Sequence, residues 1–410
     1  MLDSTLNLSY QELEKIPNSV LEQEYLENLI IGDEFEINDD FGHPQEYSDG
    51  KWKYLNKLKN LPKNLNQLQN LKNLDLRGNR LKKAVLNDFP KLEYINLERN
   101  WLETIKLQEL PLLRFLNISQ NQLVKINIEN LPNLEHLKLN HCKLEKAEIQ
   151  RNSNLVELDL SENRLHSINL KDLPSLKKLT LKRNLLEKIK LSGFENLEVL
   201  NIEKNKLKEI HLSNLPNLKE LNISDNKIEV LNLKNLPSLT HLYCYNSKLK
   251  KLIIENQEMP KLTNLSISGN SLIELKVQDF QELETIYCEN NLVRKMKLQN
   301  LPKLNRLYLK NNHLTKLDWV ENIPEIKFLN MMGNYIENAD ALVNLMFLKT
   351  LDIASNPLES IDFIKKMPQL ESLYITSSAW KSQFVPEKIL GKYPYENSLL
   401  KIRKYFESHE

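Results

Sequence analysis

The sequence contains little glycine and cysteine, and it has almost no excess of charge of either sign. Eight glycines in 410 residues leave little material for the loops that cradle phosphate groups. Lysine and arginine total 56 and aspartate and glutamate total 55, a balance that argues against nucleic acid or an anionic membrane as the main partner. With 41% apolar and 27% charged residues, the composition is typical of a soluble, folded protein.

Targeting signals and membrane spans are also missing from the sequence. Residues 1–10 contain neither the basic region nor the apolar stretch of a signal peptide. No run approaches the roughly 20 apolar residues of a transmembrane helix. The cysteines Cys142, Cys244 and Cys288 are not clustered at either end, as they are in secreted proteins whose ends are closed by disulfides. These absences predict a cytoplasmic protein.

The motifs of common enzyme classes are missing too. GxxxxGK[ST], GxGxxG, GxSxG and HExxH do not occur. His136, His141 and Cys142 are close in sequence, but a fourth ligand at metal-site spacing is missing, and we expect Cys142 to point inward and His136 outward. Acidic pairs such as Glu157 and Asp159 fall on an open surface where nothing excludes water. The sequence predicts no enzymatic activity, no cofactor and no metal.

One pattern, LxxLxLxxNxL, dominates what the sequence does contain. The frame has a 21-residue period through most of the chain, one longer spacing between Leu239 and Leu262, and a 22-residue period in the last three full repeats. Its fourteen full copies begin at Leu71, Leu92, Leu113, Leu134, Leu155, Leu176, Leu197, Leu218, Leu239, Leu262, Leu283, Leu304, Ile326 and Leu348. A decayed copy begins at Leu370. Constant spacing of this kind indicates a repeat architecture in which each unit stacks on its neighbours.

Each half of the frame carries its own structural signal. Around Leu116, apolar and polar residues alternate as in a half-buried strand, and stacked copies predict a long parallel sheet. The ninth position is asparagine in most repeats and Cys142 or Ser247 in two, and we expect these side chains to bond the backbones of adjacent coils in a ladder. The second half repeats LxxLxL, as in residues 123–128, and predicts another extended segment on the convex side.

The last three full repeats differ in their second half. They place Asp318, Asp340 and Asp362 before two apolar residues, where an aspartate can cap a short helical or 3₁₀ turn. With this frame, the sequence resembles the leucine-rich repeat family over about residues 58–380. The nested 21-residue repeats are similar to the bacterial class called IRREKO, and the last repeats resemble the 22-residue type of phosphatase-regulating repeat proteins. The resemblance implies a solenoid with a parallel sheet on its concave face, extended or short 3₁₀ segments on its convex face, and irregular caps.

The two ends of such an array need covers for the exposed core. We expect an N-terminal cap over residues 1–57, with degenerate repeats and an acidic, aromatic loop inserted at 32–54. The repeats then fill residues 58–378, and a C-terminal cap fills residues 379–410.

A helix is predicted near the C-terminus. Leu399, Ile402 and Phe406 recur at helical spacing, with Asn397 or Ser398 as the N-cap, so this helix can seal the last repeat. The region also resembles the junction that joins repeat regions to GTPase (Roc-COR) or TIR modules in bacterial signalling proteins.

Aromatic side chains on the predicted concave face are the candidates for function. Most repeats carry polar residues there, but two groups of repeats carry rings. The N-terminal group consists of Tyr94, Trp101, Phe115 and His136. The larger C-terminal group consists of His241, Tyr243, Tyr245, Tyr287, Arg306, Tyr308, Phe328, Tyr335 and Tyr374. Tyrosine, tryptophan and arginine dominate binding hot spots because they bury a large area at a low cost in entropy.

These residues predict a non-catalytic scaffold that recognises a protein partner through its concave face, mainly with the repeats from Leu239 to Leu348. Three alternatives remain open. The rings could stack on one another and stabilise the sheet. The aromatic track could bind a carbohydrate. The chain could also be the sensor or regulatory arm of a larger signalling protein. The oligomeric state is not indicated by any of these features.

Overall fold

The computed structural model describes residues 4–32, 56–375 and 398–408. The chain divides into two compact units, Met1–Glu187 with Gly193–Leu197, and Lys188–Ser192 with Glu198–Glu410. Both units are built of successive coils, in each of which a three-residue strand leads through a turn into a return segment.

The first strand of every coil belongs to a parallel sheet, here called the main sheet, which has 17 strands in total. The first unit contributes Thr5–Asn7, Asn28–Ile30, Asn73–Asp75, Tyr94–Asn96, Phe115–Asn117, His136–Lys138, Glu157–Asp159 and Lys178–Thr180. The second unit contributes Val199–Asn201, Glu220–Asn222, His241–Tyr243, Asn264–Ser266, Thr285–Tyr287, Arg306–Tyr308, Phe328–Asn330, Thr350–Asp352 and Ser372–Tyr374. Neighbouring strands pair at equal frame positions, as Leu74 does with Ile95. The predicted parallel sheet is confirmed.

The return half of most 21-residue coils forms a second strand, as the nested pattern predicts. In the first unit these strands are Lys83–Asn87, Thr104–Gln108, Lys125–Glu129, Lys146–Gln150 and Asn169–Lys171. In the second unit they are Lys188–Ser192, Glu209–Ser213, Val230–Asn232, Lys251–Ile253, Glu274–Gln278 and Lys295–Gln299. They pair in parallel within sheets of two or three strands. Ile126 and Ile128 are buried while Lys125 and Asn127 are exposed, so this strand also turns alternate side chains inward.

Leucines and isoleucines of the frame fill the interior of each coil. In the coil that begins at Leu113, the side chains of Leu113, Leu116, Ile118 and Leu123 are fully buried. Full burial of one such side chain contributes about 1.5–3 kcal/mol. A single coil exposes these side chains above and below, so the fold is stabilised by the stacking of one coil on the next.

A hydrogen-bonded ladder joins the coils at the ninth frame position. The Nδ2 of Asn121 donates to the carbonyl of Leu97 in the preceding coil at 3.0 Å and to that of Ile118 at 2.8 Å. The Oδ1 of Asn121 accepts from the backbone N–H of Leu102 at 2.9 Å. Asn121 is buried, so these bonds satisfy polar groups that water cannot reach. The predicted asparagine ladder is confirmed.

The two repeats without asparagine keep the donor to the preceding coil. The Sγ of Cys142 lies 3.2 Å from the carbonyl oxygen of Ile118, and the Oγ of Ser247 donates to the carbonyl of Ile223 at 3.2 Å. Burial raises the pKa of the Cys142 thiol to about 12, so the group keeps the proton it shares with that carbonyl. Both residues therefore act as structural replacements.

The coils near the N-terminus follow the same geometry despite a long insertion. The strand Asn28–Ile30 pairs directly with Asn73–Asp75. The paired residues Asn28 and Asn73 are 45 positions apart, 24 more than one 21-residue coil. The extra residues are therefore accommodated within a single turn of the solenoid.

Asn56 takes the ladder position of the interrupted coil. Its Nδ2 donates to the carbonyl of Ile31 at 3.2 Å, and its Oδ1 accepts from the N–H of Leu13 at 3.0 Å. The insertion predicted at 32–54 stays a prediction. Residues 33–55 themselves lie outside the described residues.

Short 3₁₀ helices replace the second strand in the 22-residue repeats, at Val320–Asn322, Asp340–Asn344 and Asp362–Lys366. Two more 3₁₀ turns lie at Leu65–Gln67 and Asn256–Glu258. The turns are where the sequence predicts them, but the prediction that aspartates cap them was wrong. Asp340 and Asp362 lie inside the first turn, and their own N–H groups donate to Asn338 Oδ1 at 2.8 Å and Ser360 Oγ at 3.0 Å. In both turns the acceptor is therefore the side chain two residues before the aspartate.

Two α-helices are present among the described residues, Asn18–Leu21 and Ser398–Glu407. No helix in the described ranges combines the length and the apolar composition that crossing a membrane requires. The second helix is the one predicted from the sequence, and it begins at Ser398, whereas the other candidate cap, Asn397, lies in 376–397, outside the described residues.

The C-terminal helix covers the end of the repeat array. Ile402 is buried, and the Nη2 of Arg403 donates to the carbonyls of Met367 at 3.3 Å and Leu370 at 3.1 Å. Those carbonyls belong to the last coil and would otherwise face an open edge, so the helix closes the array with both apolar and polar contacts.

Candidate recognition surface

Short strands of the main sheet present alternate side chains on its outer face. In the strand Thr285–Tyr287, Ile286 is fully buried, whereas the side chains on either side are half-buried. Successive side chains of a strand point to opposite faces, so the third and fifth frame positions of a coil lie on the outer face of the sheet. The degree of exposure differs between coils, since the fifth-position residues Asp75, Asn96 and Asn117 are buried. Rings at these positions therefore come side by side in neighbouring coils.

Three aromatic residues of the second unit form a continuous stack. The rings of Tyr287 and Tyr308 are nearly parallel, with centroids 4.5 Å apart and planes inclined by 16°. Phe328 continues the stack at 4.7 Å from Tyr308 with a tilt of 36°. All three side chains remain half-buried, and Arg306 beside them is exposed. Ring stacking between neighbouring repeats, one of the alternatives predicted from the sequence, therefore occurs here. Part of the ring surface of the stack still faces solvent.

A second aromatic group lies in the coil that begins at Leu239. The rings of His241 and Tyr243 are 6.1 Å apart with an angle of 29° between them. Tyr245 follows two residues later, and the Oγ of Ser224 accepts from its backbone N–H at 3.2 Å. All three aromatic side chains are half-buried.

Burial and then nearby carboxylates raise the pKa of the Tyr243 and Tyr245 hydroxyls. Desolvation is the first cause for Tyr243 and Tyr245, followed by the carboxylate of Glu220 for the former and of Glu203 for the latter. Desolvation also raises the pKa of Tyr287. The hydroxyls stay protonated at neutral pH, so each can donate a hydrogen bond to a ligand.

Tyr335 and Tyr374 are the most exposed of the predicted aromatic residues, at 55% and 58%. Tyr335 meets the ring of His313 edge-on at 5.6 Å. It also lines an open cavity of about 650 Å³, together with Thr315 and Pro357. Its ring contact is therefore with His313 at the tenth frame position, and Tyr335 does not extend the Tyr287–Phe328 stack.

The N-terminal group of predicted residues separates into two parts. Tyr94 and Phe115 stack at 4.7 Å with an angle of 7°, and His136 follows at 6.3 Å from Phe115. Trp101 has a different partner, since the guanidinium of Arg80 lies 5.6 Å from its ring centroid. Trp101 is 38% exposed. The first unit thus has a three-ring stack and a separate cation–π pair.

Two charge ladders, which were not among the predicted features, cross the same three coils of the first unit. Glu157 lies between the Nδ1 of His136, at 3.4 Å, and the Nζ of Lys178, at 2.8 Å. Glu162 lies 3.2 Å from the Nε2 of His141, with an arginine on its other side. The hydrogen bond from Lys178 is the main reason why the pKa of Glu157 is lowered. A search for opposite charges at 21-residue spacing would have found both ladders.

The suggested grouping of His136, His141 and Cys142 is divided between the surface and the core. Cys142 is buried, while each histidine faces a glutamate on the surface. Within the described ranges, no group of three or more histidine, cysteine, aspartate or glutamate side chains is arranged to hold a metal ion.

Sequence comparison identifies the repeats themselves. A family described as Leucine rich repeat matches residues 69–123 and 174–228, and a second of the same description matches residues 154–176 and 217–242. No curated protein matches the chain. The matched families are repeat families that are generally non-catalytic, and no catalytic family is among the matches.

Solved structures show the same fold. A leucine-rich repeat protein of Leptospira interrogans has a TM-score of 0.56 at 23% identity, covering 90% of this chain and 94% of that one. YopM from Yersinia enterocolitica has a TM-score of 0.54 at 23% identity, covering 92% and 88%. Toll of Drosophila, solved in complex with Spätzle, has a TM-score of 0.66 at 17% identity, and the match covers 88% of this chain and 52% of the Toll chain.

The repeat frame, the stacked coils and these matches agree with one another. Sequence identities as low as these establish the fold and leave the partner open. The chain is a leucine-rich repeat protein, a solenoid of about 17 turns with a long parallel sheet and repeats of about 21 residues.

Proposed function

We propose that the chain is a non-catalytic scaffold that binds a protein partner through the concave face of the main sheet, mainly with the coils from Leu239 to Leu348. One observation carries the proposal: the half-buried stack of Tyr287, Tyr308 and Phe328, with Arg306 exposed beside it. Tyrosine and arginine are the residue types enriched at interface hot spots.

Stacking favours binding as well as stability. A ring held between neighbours has already lost most of its rotamer freedom, so its further immobilisation by a partner costs little entropy. The exposed ring edges and protonated hydroxyls then offer both apolar area and hydrogen-bond donors. Toll, which shares the fold, is solved in complex with Spätzle, which is consistent with protein recognition by such solenoids.

Affinity capture with matched variants tests the proposal. The full chain captures a partner from the native lysate, and a double variant, Tyr287→Ala with Tyr308→Ala, is expected to lose that partner. Tyr287→Phe with Tyr308→Phe keeps both rings and should retain most of the captured protein. Val230→Ala changes an exposed apolar residue on a second-half strand and should have no effect. Full retention by the double alanine variant would contradict the proposal.

Two alternatives give different results in the same assay. A carbohydrate ligand needs ring faces, but Tyr308 covers one face of Tyr287, so the stack leaves less area for a sugar than separated rings would. Elution of the captured material by free oligosaccharide would support that alternative. A regulatory arm of a Roc-COR or TIR protein would show as a longer native gene product that carries such a module.

The bacterial origin and the cytoplasmic location are further parts of the proposal. The regular second strand of the 21-residue coils supports the nested IRREKO-like assignment, and the 3₁₀ turns support a passage into 22-residue repeats. Three buried, unpaired cysteines suit a reducing compartment. Fractionation of the native cell tests the location, and recovery of the protein only outside the cytoplasm would refute it.

A further inference from the structure

One column of the main sheet holds a row of tyrosines with a single gap. The fifth frame positions of four consecutive coils are Tyr243, Ser266, Tyr287 and Tyr308. Tyr243 pairs in register with Ser266, Ser266 with Tyr287, and Tyr287 with Tyr308. The row therefore has a ring on both sides of the Ser266 position, where the side chain is only a half-buried hydroxymethyl group.

The Tyr287–Tyr308 stack fixes the orientation of the ring next to this gap. Their centroid separation of 4.5 Å nearly equals the spacing of neighbouring strands, about 4.8 Å. The ring plane of Tyr287 is thus close to perpendicular to the direction that leads from one strand to the next. One face is covered by Tyr308, and the opposite face looks toward the gap at Ser266.

The gap has the width of one flat group. Two strand spacings, about 9.6 Å, separate the positions of Tyr243 and Tyr287. A planar group above Ser266 would lie about 4.8 Å from each neighbouring position, the offset-stacked distance at which aromatic groups attract one another. The slot is thus as wide as the space that Tyr308 occupies on the other side of Tyr287.

One carboxylate, that of Glu289, lies beside the slot on the side of Tyr287. Glu289 follows Tyr287 by two residues, and its Oε2 accepts a hydrogen bond of 2.9 Å from the Oγ of Ser268, a residue of the same coil as Ser266. At the other wall, burial and then the carboxylate of Glu220 raise the pKa of Tyr243. Arg306 belongs to the strand of Tyr308, two strands from Ser266 and on the far side of Tyr287. Burial raises the pKa of Tyr287, the guanidinium of Arg306 opposes this rise, and the carboxylate of Glu289 adds to it, so charges of both signs act on this wall of the slot.

We infer that the slot at Ser266 receives an arginine side chain of the protein partner, with its guanidinium stacked on Tyr287 and paired with Glu289. The inference rests on the proposed function and names the chemistry that the partner presents. The guanidinium of arginine is planar, stacks on aromatic faces and pairs with carboxylates through two parallel hydrogen bonds. The ammonium of lysine is a point charge, which pairs with a carboxylate without this planar geometry. A neutral ring would stack equally well but would leave Glu289 without a cation. Within this chain a guanidinium already lies near an aromatic ring, since that of Arg80 is 5.6 Å from the ring centroid of Trp101.

Small-molecule probes test the slot without knowledge of the partner. N-acetyl-arginine amide, N-acetyl-lysine amide and N-acetyl-citrulline amide are titrated into the full chain labelled with ¹³C-tyrosine. The ring resonances of Tyr243 and Tyr287 are assigned with Tyr→Phe variants. We expect saturable shifts of both resonances with the arginine amide, and at least tenfold weaker binding of the citrulline amide, which is planar but uncharged, and of the lysine amide. Equal binding of arginine and citrulline amides would overturn the role of Glu289.

A substitution that fills the gap at Ser266 with a ring gives a more direct test of the slot. Ser266→Tyr completes the row of rings and should abolish arginine-amide binding while the midpoint of thermal unfolding stays the same or rises. Ser266→Ala keeps the gap and should bind as the parent does, and Glu289→Gln should bind at least fivefold more weakly. Unchanged binding in Ser266→Tyr, or no saturable shift in the parent chain, would overturn the inference.

Different results would contradict the arginine slot at Ser266 and the proposed recognition surface. If the arginine amide does not bind but the Tyr287→Ala, Tyr308→Ala variant still loses the partner, the slot is wrong and the recognition surface stands. If that double variant retains the partner while the amide binds the parent chain, the slot is real and the main recognition surface lies elsewhere.

Discussion

The side-chain amide of Asn121 spans two coils, donating to the carbonyl of Leu97 at 3.0 Å. The same amide also bonds its own coil through Ile118, and its oxygen accepts from Leu102. One side chain therefore satisfies three backbone groups in a region without access to solvent. The two residues that stand in place of asparagine at the ninth position, Cys142 and Ser247, are small and each keeps a donor to the preceding coil.

Replacement of this asparagine by leucine should be strongly destabilising. In Asn121→Leu the carbonyl of Leu97 and the N–H of Leu102 lose a partner while they stay buried, and the expected loss in free energy of unfolding is about 2–4 kcal/mol. Urea unfolding of the full chain measures the loss, and hydrogen exchange of the Leu102 amide locates it.

Two other substitutions at the ladder serve as controls. Asn121→Ser keeps a donor, as Ser247 does in the native chain, and should cost less than the leucine variant. Cys142→Asn restores the common residue and should leave stability unchanged or raise it. Equal stability of Asn121→Leu and the parent chain would show that the ladder is not needed.

The aromatic stack contributes to stability in addition to any role in binding. Tyr287→Ala removes a ring that is packed on Tyr308, so a loss of about 1–2 kcal/mol is expected from ring stacking and buried area. Tyr335→Ala removes a more exposed ring with a single edge contact and should cost less than half as much. Thermal and urea unfolding of both variants make the comparison, and a larger loss for Tyr335→Ala would contradict this ranking.

The Glu157–Lys178 pair predicts a definite pH dependence. The hydrogen bond from Lys178 lowers the pKa of Glu157 below its unfolded value of about 4.3. Its contribution to stability is therefore fully present above that pH and is lost as the pH falls through the lowered, folded-state pKa. For a pair this exposed, we expect no more than about 1 kcal/mol.

Lys178→Met tests this dependence. The variant should be less stable than the parent at neutral pH, the difference should shrink as the pH falls below about 4, and the ¹³C titration of the Glu157 carboxyl should move to higher pH. Lys177→Met removes a neighbouring exposed lysine and is the control. A stability difference that persists unchanged at acidic pH would exclude the ion pair as its cause.

The turns of the 22-residue repeats depend on Asn338 and Ser360. Asn338→Ala and Ser360→Ala each remove the acceptor for the first N–H of a 3₁₀ turn, and each should cost about 0.5–1 kcal/mol. Asp340→Asn leaves the N–H of residue 340 bonded and should cost less. Urea midpoints decide between them, and a larger effect of Asp340→Asn would restore the aspartate as the cap.

Most of the fold could be predicted because the same sequence pattern recurs in every repeat. The frame from Leu71 onward specifies which side chains turn inward, and the equal spacing of the repeats specifies the register of the main sheet. The candidate rings were predicted as surface residues for the same reason. Their grouping was less predictable, since Trp101 pairs with Arg80 and Tyr335 with His313, away from the two stacks.

The repeat pattern alone specifies the coil, its register and its asparagine ladder, because a periodic pattern leaves one arrangement in which the leucines of the frame are buried and the ladder amides are satisfied. The folded chain was needed to show that Asn56 resumes the frame after the insertion and that Asn338 caps a turn in place of Asp340. It was also needed to show that Tyr287 turns one face to Tyr308 and the other to the gap at Ser266. These features depend on side-chain directions and on contacts between coils, which a one-dimensional pattern does not encode.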